Sequence, residues 1–283
     1  MILSLDVGSG GSGPSGLASW ALVLASLLAM LAYATAALTG ERHAGRLRIA
    51  LATGWLAQAV AIGLDLTGAG SGQGGARFGF APALSMTLWL VLAVYAVERR
   101  IVELPGARRS LALLGVVVVA LALVFPGEFH PQSGSPWAPL HWLLGIASYG
   151  LFGAAVLHAV WLNRADRQMR HAGLGGDALA TPRIPLLRLE RLTFDFLTAG
   201  FVVLSAALLL GAWFANPWRW DHKAVFSLLG WLVFAGLLAG RHAFGWRGRR
   251  ATGWLYAGTA LLLLAYVGSR FVLEVLLRRS ALS

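Results

Sequence analysis

The sequence predicts an all-α membrane protein, a polytopic bundle of about eight transmembrane helices with both termini outside the cytoplasm. Of its 283 residues, 58% are apolar and only 12% are charged, and the mean hydropathy is +0.69. Ordinary soluble domains carry about a quarter charged residues. The charged residues also lie in short segments between apolar stretches, so no segment is charged enough and long enough for a separate soluble domain.

Eight segments are long and apolar enough to cross a bilayer, which takes about 20 residues for a hydrocarbon core of about 30 Å. We expect helices, because backbone polar groups in lipid need partners within their own segment. The alternation typical of barrel strands is absent. The second segment is the most polar, since it contains Gln58 and ends at Asp65. The predicted spans are 17–38, 47–65, 80–97, 110–126, 139–162, 193–214, 224–241 and 251–272.

The loops between these spans predict the orientation. The loops after spans one, three, five and seven carry seventeen Arg or Lys residues, whereas the intervening three carry only Arg77, Arg219 and Lys223. Basic loops stay in the cytoplasm, so both termini are expected outside it. The same loops account for the net charge of +11, which argues for a lipid bilayer and against nucleic acid as the partner.

The chain divides by pattern into three parts. Residues 1–16 are Gly- and Ser-rich and are interpreted as a flexible leader, not as a cleaved signal. Residues 17–130 form a first four-helix half, and residues 131–283 form a second half with most of the residues suited to chemistry. Within loop 163–192, the first part extends helix five and LLRLERL starts helix six. The Gly/Ser-rich loop 67–79 is expected to be flexible.

The histidines are the candidate metal ligands, because the chain has no cysteine. His141 and His158 share helix five but are seventeen residues apart, about 25 Å at the rise of an α-helix, so they cannot ligate one metal. His141 and His222 lie at similar depth on the predicted outer side. His158 and His242 lie at similar depth on the predicted inner side. Both pairs are candidate sites.

His141 is the most suggestive of these residues. Gly145, Ser148 and Phe152 follow it at offsets of four, seven and eleven, so they share its helix face. Small residues beside a His allow close approach of a cofactor. They are also the ordinary packing surface of membrane helices, and a His at the interface can serve as a polar anchor only.

The Trp-rich loop and Arg270 can each be interpreted either as part of a ligand site or as an ordinary contact with the membrane. Trp218 and Trp220 suit an aromatic platform for a flat ligand, with Arg219 or Lys223 near its anionic groups, but Trp also anchors spans at the interface. Arg270 lies near the outer end of span eight. A charge at the bilayer centre costs on the order of 2.5–3.5 kcal/mol, so Arg270 suits a carboxylate partner such as a haem propionate, or a lipid phosphate.

Four motifs in this order resemble the membrane-bound cytochrome c assembly family, the CcsA- and ResC-related haem handlers, and most closely its HemX/YpjD-like branch of eight-span inner-membrane proteins. The resemblance covers about residues 135–275. The first four spans match in hydropathy alone. The residues that carry it are His141, Ser148 and Tyr149 (the LH…SY motif); Leu186, Leu189, Glu190 and Arg191 (L-x-x-L-E-R); Trp218, Trp220, Asp221 and Lys223 (W-x-W-D-x-K); and His242 to Arg250 (H-x-x-G-W-R-G-R-R).

The resemblance implies roles for particular residues. His141 would correspond to the first outer haem ligand and His242 to a membrane His. Trp218, Trp220 and Asp221 would form the end of the haem-presenting loop. The chain departs from the family pattern at three places: Ala215 stands where a Trp is expected, His222 replaces a Pro, and no His follows His242. His222 is therefore the candidate replacement for the missing outer ligand.

The resemblance implies an inner-membrane haem-handling accessory protein of cytochrome c biogenesis, which binds haem b non-covalently through His ligands and catalyses no reaction. Its expected partners are haem and other cytochrome c biogenesis or haem synthesis proteins. The alternative is a regulatory or scaffold membrane protein of haem biosynthesis that retains the fold without binding haem. A transporter is disfavoured, because the spans hold few central charges and no paired broken helices.

Overall fold

A computed structural model describes residues 14–39, 43–68, 76–98, 106–130, 137–172, 186–214, 221–268 and 271–272. Eight helices within these ranges are long and apolar enough to span a membrane, which confirms the predicted all-helical, eight-span architecture. The orientation of the termini stays a prediction. The helices are α1 (Pro14–Leu38), α2 (Ala44–Thr67), α3 (Phe80–Glu98), α4 (Ala107–Val124), α5 (Ala138–Ala172), α6 (Leu186–Phe214), α7 (His222–Phe244) and α8 (Gly248–Leu263), the last continuing into a π-helical turn, Leu264–Gly268.

The helix ends follow local chemistry. Helix α5 runs 35 residues, beyond the apolar span, and α6 begins at Leu186, both as the sequence predicts. Helix α7 begins after Asp221, whose side chain accepts a 2.8 Å hydrogen bond from the Ala224 N–H and so caps the helix. It ends at Gly245, which has the left-handed conformation of a C-terminal cap (φ 64°).

Two short strands lie between helices of the first half. Strand β1 (Ala76–Phe78) pairs antiparallel with β2 (Glu128–His130), with Ala76 opposite His130 and Phe78 opposite Glu128. The expectation of a flexible loop over 67–79 is wrong for β1. Three residues are too few to show strand periodicity in the sequence, and the pairing satisfies backbone groups that a loop would leave to water.

The helices fall into two compact units. The first holds α1, α2, most of α3, α4 and both strands; the second holds the last turn of α3, Val94–Glu98, together with α5 to α8. The predicted halves, 17–130 and 131–283, assign that last turn to the first half. The difference has a physical cause in the second unit, where Glu98 meets His158 on α5.

The first unit is organised around a buried tyrosine. The Tyr33 ring is fully buried, and a Cβ atom added at Gly54 or Gly115 would lie 2.8 or 2.7 Å from it. Its hydroxyl donates a 2.6 Å hydrogen bond to Oε1 of Gln58, whose amide nitrogen donates to Ser85 Oγ (3.0 Å) and Ser85 O (3.1 Å). The polar residue that made span two the most hydrophilic therefore has its hydrogen bonds inside the protein.

A reciprocal tryptophan pair joins α2 to α3. The rings of Trp55 and Trp89 stack with centroids 4.6 Å apart and planes 9° from parallel. Each indole N–H donates a 3.0 Å hydrogen bond to the backbone carbonyl of the other residue. Because a tryptophan N–H needs a partner when it is withdrawn from water, this arrangement satisfies both donors and packs both rings.

The core of the second unit is a stacked aromatic pair set on glycines. Phe152 of α5 and Phe234 of α7 stack with centroids 4.1 Å apart. A Cβ atom at Gly200 would lie 2.9 Å from the Phe152 ring, and one at Gly258 would lie 2.5 Å from the Phe234 ring. Glycines thus let α6 and α8 approach the two rings closely, which is how membrane helices gain packing energy.

The second unit also contains a buried acid–imidazole contact. His158 is fully buried, its Nδ1 donates to the carbonyl of Ala154 (2.8 Å), and its ring stacks on Phe196. Its Nε2 lies 2.7 Å from Oε2 of Glu98, although off the direction of a good hydrogen bond. This contact joins the end of α3 to the middle of α5.

Replacing Gly54 with Ala is expected to lower the free energy of unfolding by about 1–3 kcal/mol, the usual cost of overpacking. The Tyr33 ring cannot move aside, because Gly115 lies against its other edge and Gln58 holds its hydroxyl. Thermal unfolding of the detergent-solubilised protein measures the effect. Gly63→Ala on the same helix is the control, since a Cβ there would meet nothing within 4 Å. Equal melting temperatures for the two variants would contradict the packing argument.

Glu98→Met and His158→Phe are each expected to destabilise the fold strongly, because each leaves a buried polar partner alone. The double variant removes both polar groups and should cost less than the sum of the single changes, with a coupling free energy of about 0.5–3 kcal/mol. Unfolding of all four proteins in one detergent gives this coupling. Additive effects would mean that the two side chains do not stabilise each other.

Candidate functional site

His141 lies in the first turn of α5, and its ring is held by α6. Its Nδ1 is 2.9 Å from the backbone carbonyl of Ala207, and its Cε1 would be 2.8 Å from a Cβ atom at Gly211. A carbonyl oxygen can only accept, so Nδ1 is the donor in this contact. Histidines that ligate metals are typically oriented in this way, with the second ring nitrogen donating to a carbonyl or carboxylate.

On the face of α5 that carries His141, some residues are packed and one position has no close neighbour. Ser148 is buried and its hydroxyl donates to the Gly145 carbonyl at 2.7 Å, so it serves the helix itself. Phe152 is part of the aromatic core. At Gly145, by contrast, an added Cβ would meet nothing within 4 Å. The position one turn from His141 is therefore not packed against a neighbouring helix.

Tyrosines and a lysine connect α5 and α7 to the end of α8. The Tyr149 hydroxyl donates to the carbonyl of Leu262, two residues before the π-helical turn begins. Lys223, in the first turn of α7, places its ammonium 5.5 Å from the ring centroid of Tyr266 within that turn. Single π-helical turns occur frequently at functional sites. Tyr149 of the LH…SY motif and Lys223 of the W-x-W-D-x-K motif thus contact the same segment at the end of α8.

His222 is the first residue of α7 and is exposed. The neighbouring Asp221 uses its carboxylate as the helix cap. This gives Asp221 a local structural role whether or not a ligand binds beside it. Trp218, Trp220 and Arg270 lie outside the described residues, so their predicted roles stay predictions.

The two remaining candidate ligands differ in exposure. His242 is exposed near the end of α7, and its Nδ1 lies 3.2 Å from the carbonyl of Leu238 on its own helix. His158 presents neither ring nitrogen to a ligand in this arrangement, since Ala154 and Glu98 contact both. Across the part of the chain that the structure describes, no group of three or more His, Cys, Asp or Glu residues is placed to hold a metal ion.

The sequence reasoning missed Glu98, and it named Glu190 as part of a motif without its ion-pair partners. Glu98 is the partner of His158, and an acid at the end of an apolar span was the available signal, because such charges need an intramembrane partner. The Oε1 atom of Glu190 lies 3.2 Å from a guanidinium nitrogen of Arg241 and 3.4 Å from one of Arg247. The L-x-x-L-E-R and H-x-x-G-W-R-G-R-R motifs, more than 40 residues apart, therefore meet in one ion-pair cluster.

Comparison with known proteins matches the motif-bearing part of the chain. Residues 78–277 match the family model described as "Cytochrome C assembly protein". This range includes α3 to α8, and therefore every candidate ligand from His141 to His242.

Two kinds of relative are similar to the chain. "Inner membrane protein YpjD" of Escherichia coli K12 is 30% identical over 210 residues, covering 73% of this chain and 78% of the relative. "Cytochrome c biogenesis protein CcsA" of Synechococcus sp. RCC307 is 29% identical over 194 residues, covering 58% and 62%. The CcsA of Prochlorococcus marinus SARG is 25% identical over 223 residues, covering 67% and 71%. The family match over most of the chain, joined to the eight-span fold and the order of the motifs, shows that the chain belongs to the cytochrome c assembly protein family.

Proposed function

We propose that this protein is an inner-membrane haem-handling accessory protein of cytochrome c biogenesis and that it binds haem b non-covalently through His141. The observation that carries the proposal is the hydrogen bond from His141 Nδ1 to the Ala207 carbonyl at 2.9 Å. It fixes the ring orientation through Nδ1, and Nε2 is the nitrogen that would ligate iron. The open position at Gly145 supplies room on the same helix face.

The second ligand is proposed to be His222. It is exposed at the start of α7, and the cap formed by Asp221 fixes the helix turn from which it projects. When bound, haem would supply an iron with two axial positions, and two imidazoles would fill both and suppress oxygen chemistry. This suits a protein that holds haem without reacting with it, and the proposed role accordingly includes no catalytic turnover.

His242 is the proposed ligand of a second site, because its ring is oriented by the Leu238 carbonyl as that of His141 is by Ala207. His158 is the weaker partner for it. Its Nε2 could reach a metal only if Glu98 moved away, which would leave a carboxyl group buried without its partner. The outer pair, His141 and His222, requires no such loss.

Further contacts to haem are proposed for the aromatic loop and the cations near it. Trp218 and Trp220 would cover a face of the macrocycle. Lys223 and Arg270 would neutralise its propionates. Lys223 is supported by its position above Tyr266, next to the π-helical turn that Tyr149 also contacts.

The alternative function is a regulatory or scaffold membrane protein of haem biosynthesis that has kept the fold and lost the cofactor. Two sequence departures favour it: Ala215 in place of a tryptophan and the absence of any His after His242. Partners under either function would be other proteins of cytochrome c biogenesis or haem synthesis. Haem content of the purified protein separates the two functions.

His141→Ala is expected to abolish most of the haem absorption that copurifies with the protein, because it removes the oriented ligand. His222→Ala should lower the haem content and convert a six-coordinate low-spin spectrum to a five-coordinate one, since a single imidazole would remain. Ultraviolet–visible and magnetic circular dichroism spectra of the oxidised and reduced protein measure both effects.

His43→Ala is the matched control, because His43 is also exposed and precedes the first residue of α2, in the other compact unit. It should retain the wild-type spectrum. Haem binding that survives in both His141→Ala and His222→Ala would exclude the outer site. Absence of haem from wild-type protein produced with ample haem supply would favour the scaffold function.

The same proposal places both termini outside the cytoplasm, so that His141 and His222 face the side where cytochromes c are assembled. Alkaline phosphatase fused after Ser283 is expected to be active, and a fusion within 173–185 inactive, because that enzyme matures only outside the cytoplasm. Green fluorescent protein at the same positions should give the reverse pattern. Fluorescence from the C-terminal fusion would overturn the orientation.

A further inference from the structure

The turn between α7 and α8 combines arginines with aromatic rings. Only Gly245, Trp246 and Arg247 separate the two helices. Gly245 and Gly248 both have positive φ values (64° and 60°), which allow a tight turn between the helices. The arginines at positions 241, 247, 249 and 250 are consequently concentrated at one end of this helix pair.

The carboxylate of Glu190 forms ion pairs with only two of these four arginines. Arg241 and Arg247 approach the same oxygen of Glu190, and the Arg241 guanidinium also lies 3.5 Å from the centroid of the Phe194 ring. Arg249 and Arg250 are exposed, and among the described residues neither has a carboxylate partner. The turn therefore carries an excess of positive charge that the described protein does not neutralise.

Trp246 lies between the arginines of the turn and an apolar surface. Its ring packs on Gly240, where a Cβ atom would lie 2.5 Å away. The Arg250 guanidinium lies 4.2 Å above it, and Trp254 lies 5.4 Å from it. Phe244 is 76% exposed and Trp254 38% exposed. Aromatic rings of this kind lie at the level of lipid headgroups, where one edge is apolar and the other is wet.

We propose that the α7–α8 turn binds the phosphate of an anionic phospholipid, with Arg249 and Arg250 as the contacting cations and Phe244, Trp246 and Trp254 beside the upper acyl chain. A guanidinium provides paired donors that match phosphate oxygens. The exposed aromatic surface distinguishes a lipid from a free anion, because inorganic phosphate has no apolar part to cover it. The site uses none of the four histidines proposed as haem ligands.

Native mass spectrometry of the full-length protein in detergent tests this site with phosphatidylglycerol as the probe. The wild-type protein should retain phosphatidylglycerol well above phosphatidylcholine. Arg249→Gln together with Arg250→Gln should weaken that retention about 30-fold, at about 1 kcal/mol for each basic residue near an anionic surface. Arg249→Lys with Arg250→Lys should retain most of the binding, because the charge is kept.

Arg46→Gln with Arg48→Gln is the matched control, since it removes two exposed arginines from α2 in the first unit. It should leave phosphatidylglycerol binding within twofold of wild type. If both double variants lost phosphatidylglycerol binding equally, the loss would reflect the net charge of the protein, and the local site would be overturned. Equal retention of the two lipids, or displacement of phosphatidylglycerol by millimolar inorganic phosphate, would likewise overturn it.

Discussion

The bilayer core offers no water to a polar group, so each donor and acceptor buried there must find a partner within the protein. Gln58 meets this requirement through Tyr33 and Ser85, and Trp55 and Trp89 meet it through each other's backbone. Each of these contacts also ties one helix to another. The polar residues inside this apolar chain therefore help to determine which helices pack together.

The same constraint bears on the candidate ligands. Both ring nitrogens of the buried His158 face protein atoms, the Ala154 carbonyl and the Glu98 carboxyl group, which makes it a structural residue in this arrangement. His141 is only partly buried, and its contact with the Ala207 carbonyl orients the ring through Nδ1. The difference between the two histidines of α5 is thus one of depth and neighbours, and it favours His141 as the ligand.

Much of the architecture could be predicted because its causes are local. Twenty-residue apolar stretches, the extension of α5 and the start of α6 at Leu186 all follow from residues adjacent in sequence. The short strands could not be predicted, because three residues carry no usable period and the pairing partner lies about 50 residues away. Likewise, seven histidines could be sorted by depth, but the Ala207 carbonyl and Gly211 that orient His141 have no signature in the sequence.

The sequence by itself determined the class of protein, the eight spans and the family, because hydropathy and motif order are properties of the linear chain. It also supplied His141 as the leading ligand through the LH…SY motif. Only the tertiary structure decided which charges meet: Glu98 with His158, and Glu190 with Arg241 and Arg247. These partners are 50 to 60 residues apart, and their pairing depends on how the helices pack against one another. In lipid that packing is set by glycines and by buried polar contacts, whose effect appears only when the helices are brought together.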